Sequence, residues 1–90
     1  MESRVHIVVA GLVQGVGFRW FVQRRAQAKG VAGFVRNRVD GSVEIEAQGD
    51  RATLEALMAE IRVGPRSAQV SDFRVEWIDP RAGESSFMIR

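Results

Sequence analysis

Apolar positions alternate with period two near the start of the chain, where Val5, Ile7 and Val9 fall on one side of an extended backbone. That spacing predicts a strand over Val5–Ala10. Its other side carries Val8 and Ala10, which suits a strand in the middle of a sheet. The period changes at Phe18. Phe18, Phe21, Val22 and Ala26 stand near helical spacing and predict a helix over Phe18–Lys29, with Gly30 as its C-terminal stop. A second extended run, Val31–Asn37, leads into Asp40–Gly41, a dipeptide that favours a hairpin turn. Val43, Ile45 and Ala47 then alternate with Glu44, Glu46 and Gln48. This is the pattern of a half-buried strand whose polar side is expected to face water.

Asp50 stands where its side chain can accept from the first N–H groups of a helix over Arg51–Arg62. Leu54, Leu57, Met58 and Ile61 form the buried stripe of that helix at i, i+3, i+4 and i+7, and Gly64–Pro65 ends it. Val70–Ile78 is a further strand, with Phe73, Val75 and Trp77 on one face. Pro80–Gly83 turns the chain, and Ser86–Arg90 is a last short strand.

The resulting order is β-α-β-β-α-β with a short terminal strand added. It predicts an α+β fold of the ferredoxin-like, split-βαβ kind, with two helices on one face of a mostly antiparallel sheet. Right-handed crossovers make the first two strands parallel and fit the third between them. The ends of the first and second strands then share one edge of the sheet, about 10 Å apart across two strand spacings. A small ligand can bridge that gap.

Composition narrows the class. Ninety residues suffice for one domain and are too few for two, so residues 1–90 are expected to form a single domain. With 46% hydrophobic and 27% charged residues the chain falls in the globular range rather than the disordered one. The absence of cysteine excludes a disulfide scaffold and a thiolate metal site, and a lone His6 excludes a histidine-rich one. No apolar run approaches the ~18 residues a membrane span requires. The N-terminus lacks a secretory layout, so a cytoplasmic, unprocessed protein is expected. Twelve arginines face one lysine, yet net charge is only +2 and the arginines are scattered. Nucleic-acid binding wants them clustered on one face.

The candidate chemistry lies in "GLVQGVGFRW", Gly11–Trp20. It is neither a Walker A loop, since no lysine follows, nor a dinucleotide fingerprint, since Trp20 occupies the third glycine position. Gly15 and Gly17 allow successive N–H groups to point inward as an anion nest, while Gly11 is expected to end the strand. The unpaired N–H groups at the start of the helix add the positive end of its dipole. Arg19 supplies a guanidinium whose fork matches a phosphate. Two readings stand for this stretch alone: a phosphate-sized anion site, or a tight strand–helix connection with a surface arginine.

A second segment, "GFVRNRVDGSVEIEAQG", contains Asn37, the only asparagine in the chain. Asparagine suits a strand end for local reasons. Topology also puts Asn37 on the same sheet edge as the loop, where a carboxamide able to donate and accept can hold a water.

Together, "GLVQGVGFR" and "GFVRNRVDGSVEIEAQG" resemble the two signature segments of the acylphosphatase family, and the likeness extends to the closing "FMIR". The resemblance implies a small monomeric enzyme that hydrolyses the carboxyl–phosphate bond of acyl phosphates to carboxylate and inorganic phosphate. It implies no metal and no cofactor; the scattered arginines and the lack of a long apolar run point in turn to neither a nucleic-acid nor a membrane partner. Carried onto this chain, Arg19 is the catalytic arginine that binds phosphate and Asn37 the catalytic residue that positions the attacking water. The phosphate-binding backbone amides are those of Gln14, Gly15, Val16, Gly17, Phe18 and Arg19. Leu12 and the "GPRS" at Gly64–Ser67 depart from the family pattern without touching either catalytic side chain.

The remaining polar residues have blander expectations. His6 is structural or exposed, and Glu44 and Glu46 form a solvated face rather than a catalytic carboxylate pair. Phe18, Phe21, Phe34, Phe73 and Trp77 belong to the core. Nothing in the sequence selects the acyl portion of a substrate. Two rival functions remain: a nucleic-acid module on the same skeleton, and a non-catalytic anion-binding or regulatory domain. The first would need aromatic residues on the open sheet face, where the third strand offers Glu44, Glu46 and Gln48 instead.

Overall fold

The computed structural model describes residues 2–90. The elements are β1 (Glu2–Leu12), α1 (Phe18–Ala28), β2 (Ala32–Asn37), β3 (Val43–Asp50), α2 (Arg51–Val63), β4 (Gln69–Ile78) and β5 (Phe87–Ile89). They form one five-stranded sheet in the order β4-β1-β3-β2-β5. β3 runs antiparallel to both β1 and β2, which are therefore parallel to each other, and β5 joins β2 in parallel. The expected β-α-β-β-α-β plan with its extra strand is the plan observed. The register fixes the functional edge: Val9 of β1 and Asn37 of β2 both lie opposite Val43.

One sheet face carries the core. Val5, Ile7, Val9, Val35, Val43 and Ile45 are fully buried there beneath Phe18 and Val22 of α1 and Leu54, Leu57 and Ile61 of α2. Each such side chain contributes roughly 1.5–3 kcal/mol on burial, so the two helical stripes hold both helices on the same face. No helix of the described residues is long and apolar enough to cross a membrane.

The other face departs from expectation. Glu46 and Gln48 are buried, not solvated, because Arg4 lies between them with no exposed surface. Arg4 donates from Nε to Glu46 (2.8 Å) and from Nη1 to Gln48 (3.0 Å) and Glu84 (2.9 Å). Gln48 in turn accepts from the Arg81 N–H at 2.7 Å and donates to the Arg81 carbonyl at 2.7 Å. The β4–β5 connection thus covers part of the sheet that periodicity alone assigns to water. Glu46 and Glu84 compensate the buried charge, although Arg4 Nη2 is left without a partner, and removing one partner of such a pair is costly.

Four further local expectations are corrected. Asp50 occupies the N-cap of α2 with extended dihedrals, but its side chain makes no capping bond. Phe34 is buried on the face opposite the main core, opposite Glu46 in register, with the Arg90 guanidinium 4.3 Å from its ring centroid. Phe73 and Trp77 are only partly buried, and their cover is again arginine: Arg62 at 4.4 Å and Arg51 at 4.0 Å. Several of the scattered arginines are therefore lids over aromatic rings, each such contact worth roughly 0.5–1 kcal/mol at exposed sites. Gly11 does not end β1. The strand continues to Leu12 through a register shift at Ala10–Gly11 in its pairing with β4.

Gly11 has a positive φ of 124°, and a β-carbon there would stand 2.2 Å from the Gln69 carbonyl oxygen. Backbone, not a flexible side chain, would have to move. Gly11→Ala is therefore expected to destabilise the fold by at least ~2 kcal/mol, read as a lowered midpoint of urea unfolding. A midpoint unchanged from wild type would contradict this account of the bulge.

Candidate functional site

The loop after β1 is shaped by two glycines. Gly15 (φ 75°) and Gly17 (φ 78°) are both left-handed, and Gly17 is the N-cap of α1. A β-carbon at either position would meet nothing within 4 Å. Glycine is required there by conformation rather than by space, since other residues pay about 1 kcal/mol or more for this geometry. Phe18, 1% exposed, anchors the first helical residue in the core and so fixes where the loop ends. Among the described residues, the backbone N–H groups of Gln14–Arg19 donate to no backbone carbonyl in turns, loops or caps. Several unpaired N–H groups at a helix start make a ready anion site.

Two latches hold this loop. The Gln14 side chain donates from Nε2 to the carbonyl oxygens of Arg38 (2.8 Å) and Ser42 (2.9 Å). These belong to the β2–β3 hairpin, closed by Arg38 N–H to the Ser42 carbonyl at 2.8 Å. Asp40 tightens the same turn by accepting from the Ser42 hydroxyl (2.6 Å) and N–H (3.0 Å). The hydroxyl bond first, then the backbone bond, holds the Asp40 carboxyl below its ordinary pKa. On the other side the Ser67 hydroxyl donates to the Val16 carbonyl at 2.8 Å. Sequence reasoning assigned Gln14 only a backbone role. Its side chain ties the anion loop to the hairpin that carries Asn37, and no local pattern signals such a tertiary bond.

Arg19 and Asn37 line one small cavity of about 160 Å³, together with Val13, Gly15, Gly17, Phe18, Trp20 and Ile89. At ~30 Å³ per water, that is room for a small tetrahedral anion with a water. Arg19 is half-buried, and no carboxylate among the described residues pairs with it, although eight other ion pairs occur. The Asn37 Oδ1 is buried without a hydrogen-bond partner. A buried acceptor left unpaired costs roughly 1–3 kcal/mol, so Asn37 sits on the cavity wall with an acceptor that nothing in the protein satisfies. The lining contains no serine, threonine, histidine or carboxylate. The cavity can therefore fix an anion and orient a water, but offers no side-chain nucleophile and no general base.

A different cluster has metal-ligand chemistry. Ligand atoms of His6, Glu44 and Glu46 lie within 4.8 Å of one another. Their charges are already matched: Arg4 binds Glu46, Arg36 binds Glu44, and His6 Nε2 donates to Glu44 at 2.7 Å. Burial alone would raise the Glu44 pKa, but the bonds from His6 and Arg36 outweigh it and hold the carboxyl low. A cation would have to displace two arginines, and the geometry is that of an ion-pair network.

Comparison with known proteins bears on the whole chain. Residues 5–89 match the acylphosphatase family model. An acylphosphatase of Chlorobaculum tepidum is 51% identical over 78 residues, spanning 87% of this chain and 85% of that protein. One of Salinibacter ruber is 45% identical over 89 residues, 99% of this chain and 94% of its own. The crystal structure of acylphosphatase from Bacillus subtilis superposes with a TM-score of 0.94 at 39% identity, covering 100% of this chain and 99% of that one. On these matches, and with its glycine loop, an arginine that has no carboxylate partner among the described residues and an asparagine with an unpartnered Oδ1 on one sheet edge, this chain belongs to the acylphosphatase family.

Proposed function

We propose that the 90 residues act as one monomeric catalytic domain that hydrolyses acyl phosphates, with Arg19 and Asn37 in distinct roles. The observation that carries the reading is the pairing, in one cavity, of an arginine free of carboxylates with an asparagine whose Oδ1 lacks a partner. Arg19 and the N–H groups of Gln14–Arg19 hold the phosphoryl oxygens, leaving the phosphorus exposed toward Asn37. Asn37 Oδ1 accepts from a water and aims its oxygen at phosphorus. The water oxygen forms the new P–O bond. The bond from phosphorus to the acyl oxygen breaks with its electron pair, which leaves on the carboxylate. The water's proton passes to a phosphoryl oxygen, so an acyl phosphate dianion and water become a carboxylate and dihydrogen phosphate.

The phosphoryl group serves as its own proton acceptor, which accounts for a lining without a base. The carboxylate is a good leaving group, so positioning and charge stabilisation suffice. A preorganised cavity strengthens both, since its donors need no reorganisation during reaction.

The experiment is incubation with acetyl phosphate, following disappearance of the anhydride. Wild-type protein is expected to accelerate its loss without added metal. A rate equal to the protein-free background would overturn the reading.

A further inference from the structure

The phosphate cavity shares lining residues with three neighbouring cavities. Asn37 is shared with two shallow cavities on the hairpin side, while Gly17 and Trp20 are shared with a larger one of about 550 Å³ running along α1. In-line displacement sets the attacking and leaving oxygens on opposite sides of phosphorus. If Asn37 holds the water, the acyl oxygen departs on the side away from Asn37, and the neighbouring cavity that lacks Asn37 in its lining is the one shared through Gly17 and Trp20. The acyl group of the substrate then lies in the larger cavity.

That cavity has a definite chemistry. Trp20 is 60% exposed, and Phe21 and Pro65 add apolar wall. Two arginines line it, and they differ. Arg25 donates to Glu60 at 2.9 Å, and Glu60 also pairs with Lys29 at 2.6 Å. Bonds from Lys29 first, then Arg25, hold the Glu60 carboxyl below its ordinary pKa, so this charge is already matched. Arg24 has no carboxylate partner among the described residues, and its guanidinium lies 4.9 Å from the Trp20 ring centroid. It stands one helical turn beyond Trp20, about 6 Å along the axis. An aromatic or apolar stem leaving the phosphate site therefore passes Trp20 and meets an uncompensated cation at its far end.

We infer that Trp20 and Arg24 form an acyl subsite that favours acyl phosphates whose acyl portion carries a second negative charge. The inference rests on the proposed hydrolase reading and names the substrate class within it. No residue selecting the acyl portion was evident in the sequence, because Arg24 is one scattered arginine among twelve until the fold sets it beside the phosphate loop.

The test compares kcat/KM for 4-carboxybenzoyl phosphate and the similarly sized 4-methylbenzoyl phosphate, whose acyl portion is uncharged. Acetyl phosphate is measured alongside. The expected result is that Arg24→Gln lowers the carboxy-to-methyl ratio by about threefold to tenfold. Arg62→Gln, which removes a similarly exposed charge over Phe73, is expected to leave the ratio at its wild-type value. Leaving-group electronics cancel, since each ratio is compared between proteins. An unchanged ratio in Arg24→Gln, or an equal fall in both variants, would overturn the subsite. So would turnover of acetyl phosphate with none of either aromatic substrate. Failure of wild type to hydrolyse any of the three would overturn the hydrolase reading itself, and the subsite with it.

Discussion

Arg19→Ala is expected to lower kcat/KM for acetyl phosphate by at least ~10²-fold, the scale of losing one donor to a developing oxyanion. It is also expected to abolish competitive inhibition by inorganic phosphate. The second effect follows from the first residue's position: Arg19 shares the cavity with the loop amides and has no carboxylate partner to neutralise it. Its contribution therefore begins when the phosphate binds and grows as charge redistributes. Arg19→Lys is expected to restore binding better than turnover, because an ammonium supplies the charge without the planar fork. The fold should tolerate both changes, since the burial of the helix start comes from Phe18 and not from its neighbour. An Arg19→Ala protein that kept its turnover would remove the anion site from the mechanism.

Asn37→Ala separates binding from chemistry. The expected result is a fall in kcat of at least ~10²-fold, with the inhibition constant of phosphate within about threefold of wild type. Asn37 reaches the cavity from the end of β2 rather than from the loop, and it also lines the hairpin side; the proposed role gives it a water, rather than the phosphoryl oxygens, as partner. The variant also removes a buried acceptor that has no partner in the protein. Its unfolding midpoint is therefore expected to equal or exceed that of wild type, the usual direction when a functional polar group is removed. Loss of phosphate affinity with kcat retained would contradict the water-positioning role.

Periodicity and chain topology made the sheet plan and the nearness of Arg19 and Asn37 legible, while the proposed catalytic roles came from the resemblance of the two signature segments to the acylphosphatase family. Period-two and period-3.6 patterns state which side of each element is buried, and the handedness of crossovers then decides which strand ends are neighbours. Arg19 and Asn37 could be brought to one edge by those rules alone. The opposite face was not legible. Alternation correctly put Glu44, Glu46 and Gln48 away from the core, but it carries no information on what covers that side. Arg4 lies one residue before the strand that periodicity predicts, and Pro80–Gly83 carries only a turn signal, so the meeting of Arg4, Arg81 and Glu84 with Glu46 and Gln48 has no local signature. Gly11 was misread because a glycine ending a strand and one permitting a bulge look identical in one dimension. Gln14 was undervalued for a related reason: a glutamine side chain reaching the Arg38 and Ser42 carbonyls depends on two loops being adjacent in space.

The central claim is that a water held by Asn37 attacks phosphorus while Arg19 and the loop hold the phosphate. Hydrolysis of acetyl phosphate by wild-type protein in water enriched in the heavy oxygen isotope tests it most directly, with mass spectrometry of both products. The account predicts the label in inorganic phosphate and none in acetate. Label in acetate would mean that water attacks the carbonyl carbon, and would contradict the roles given to both residues.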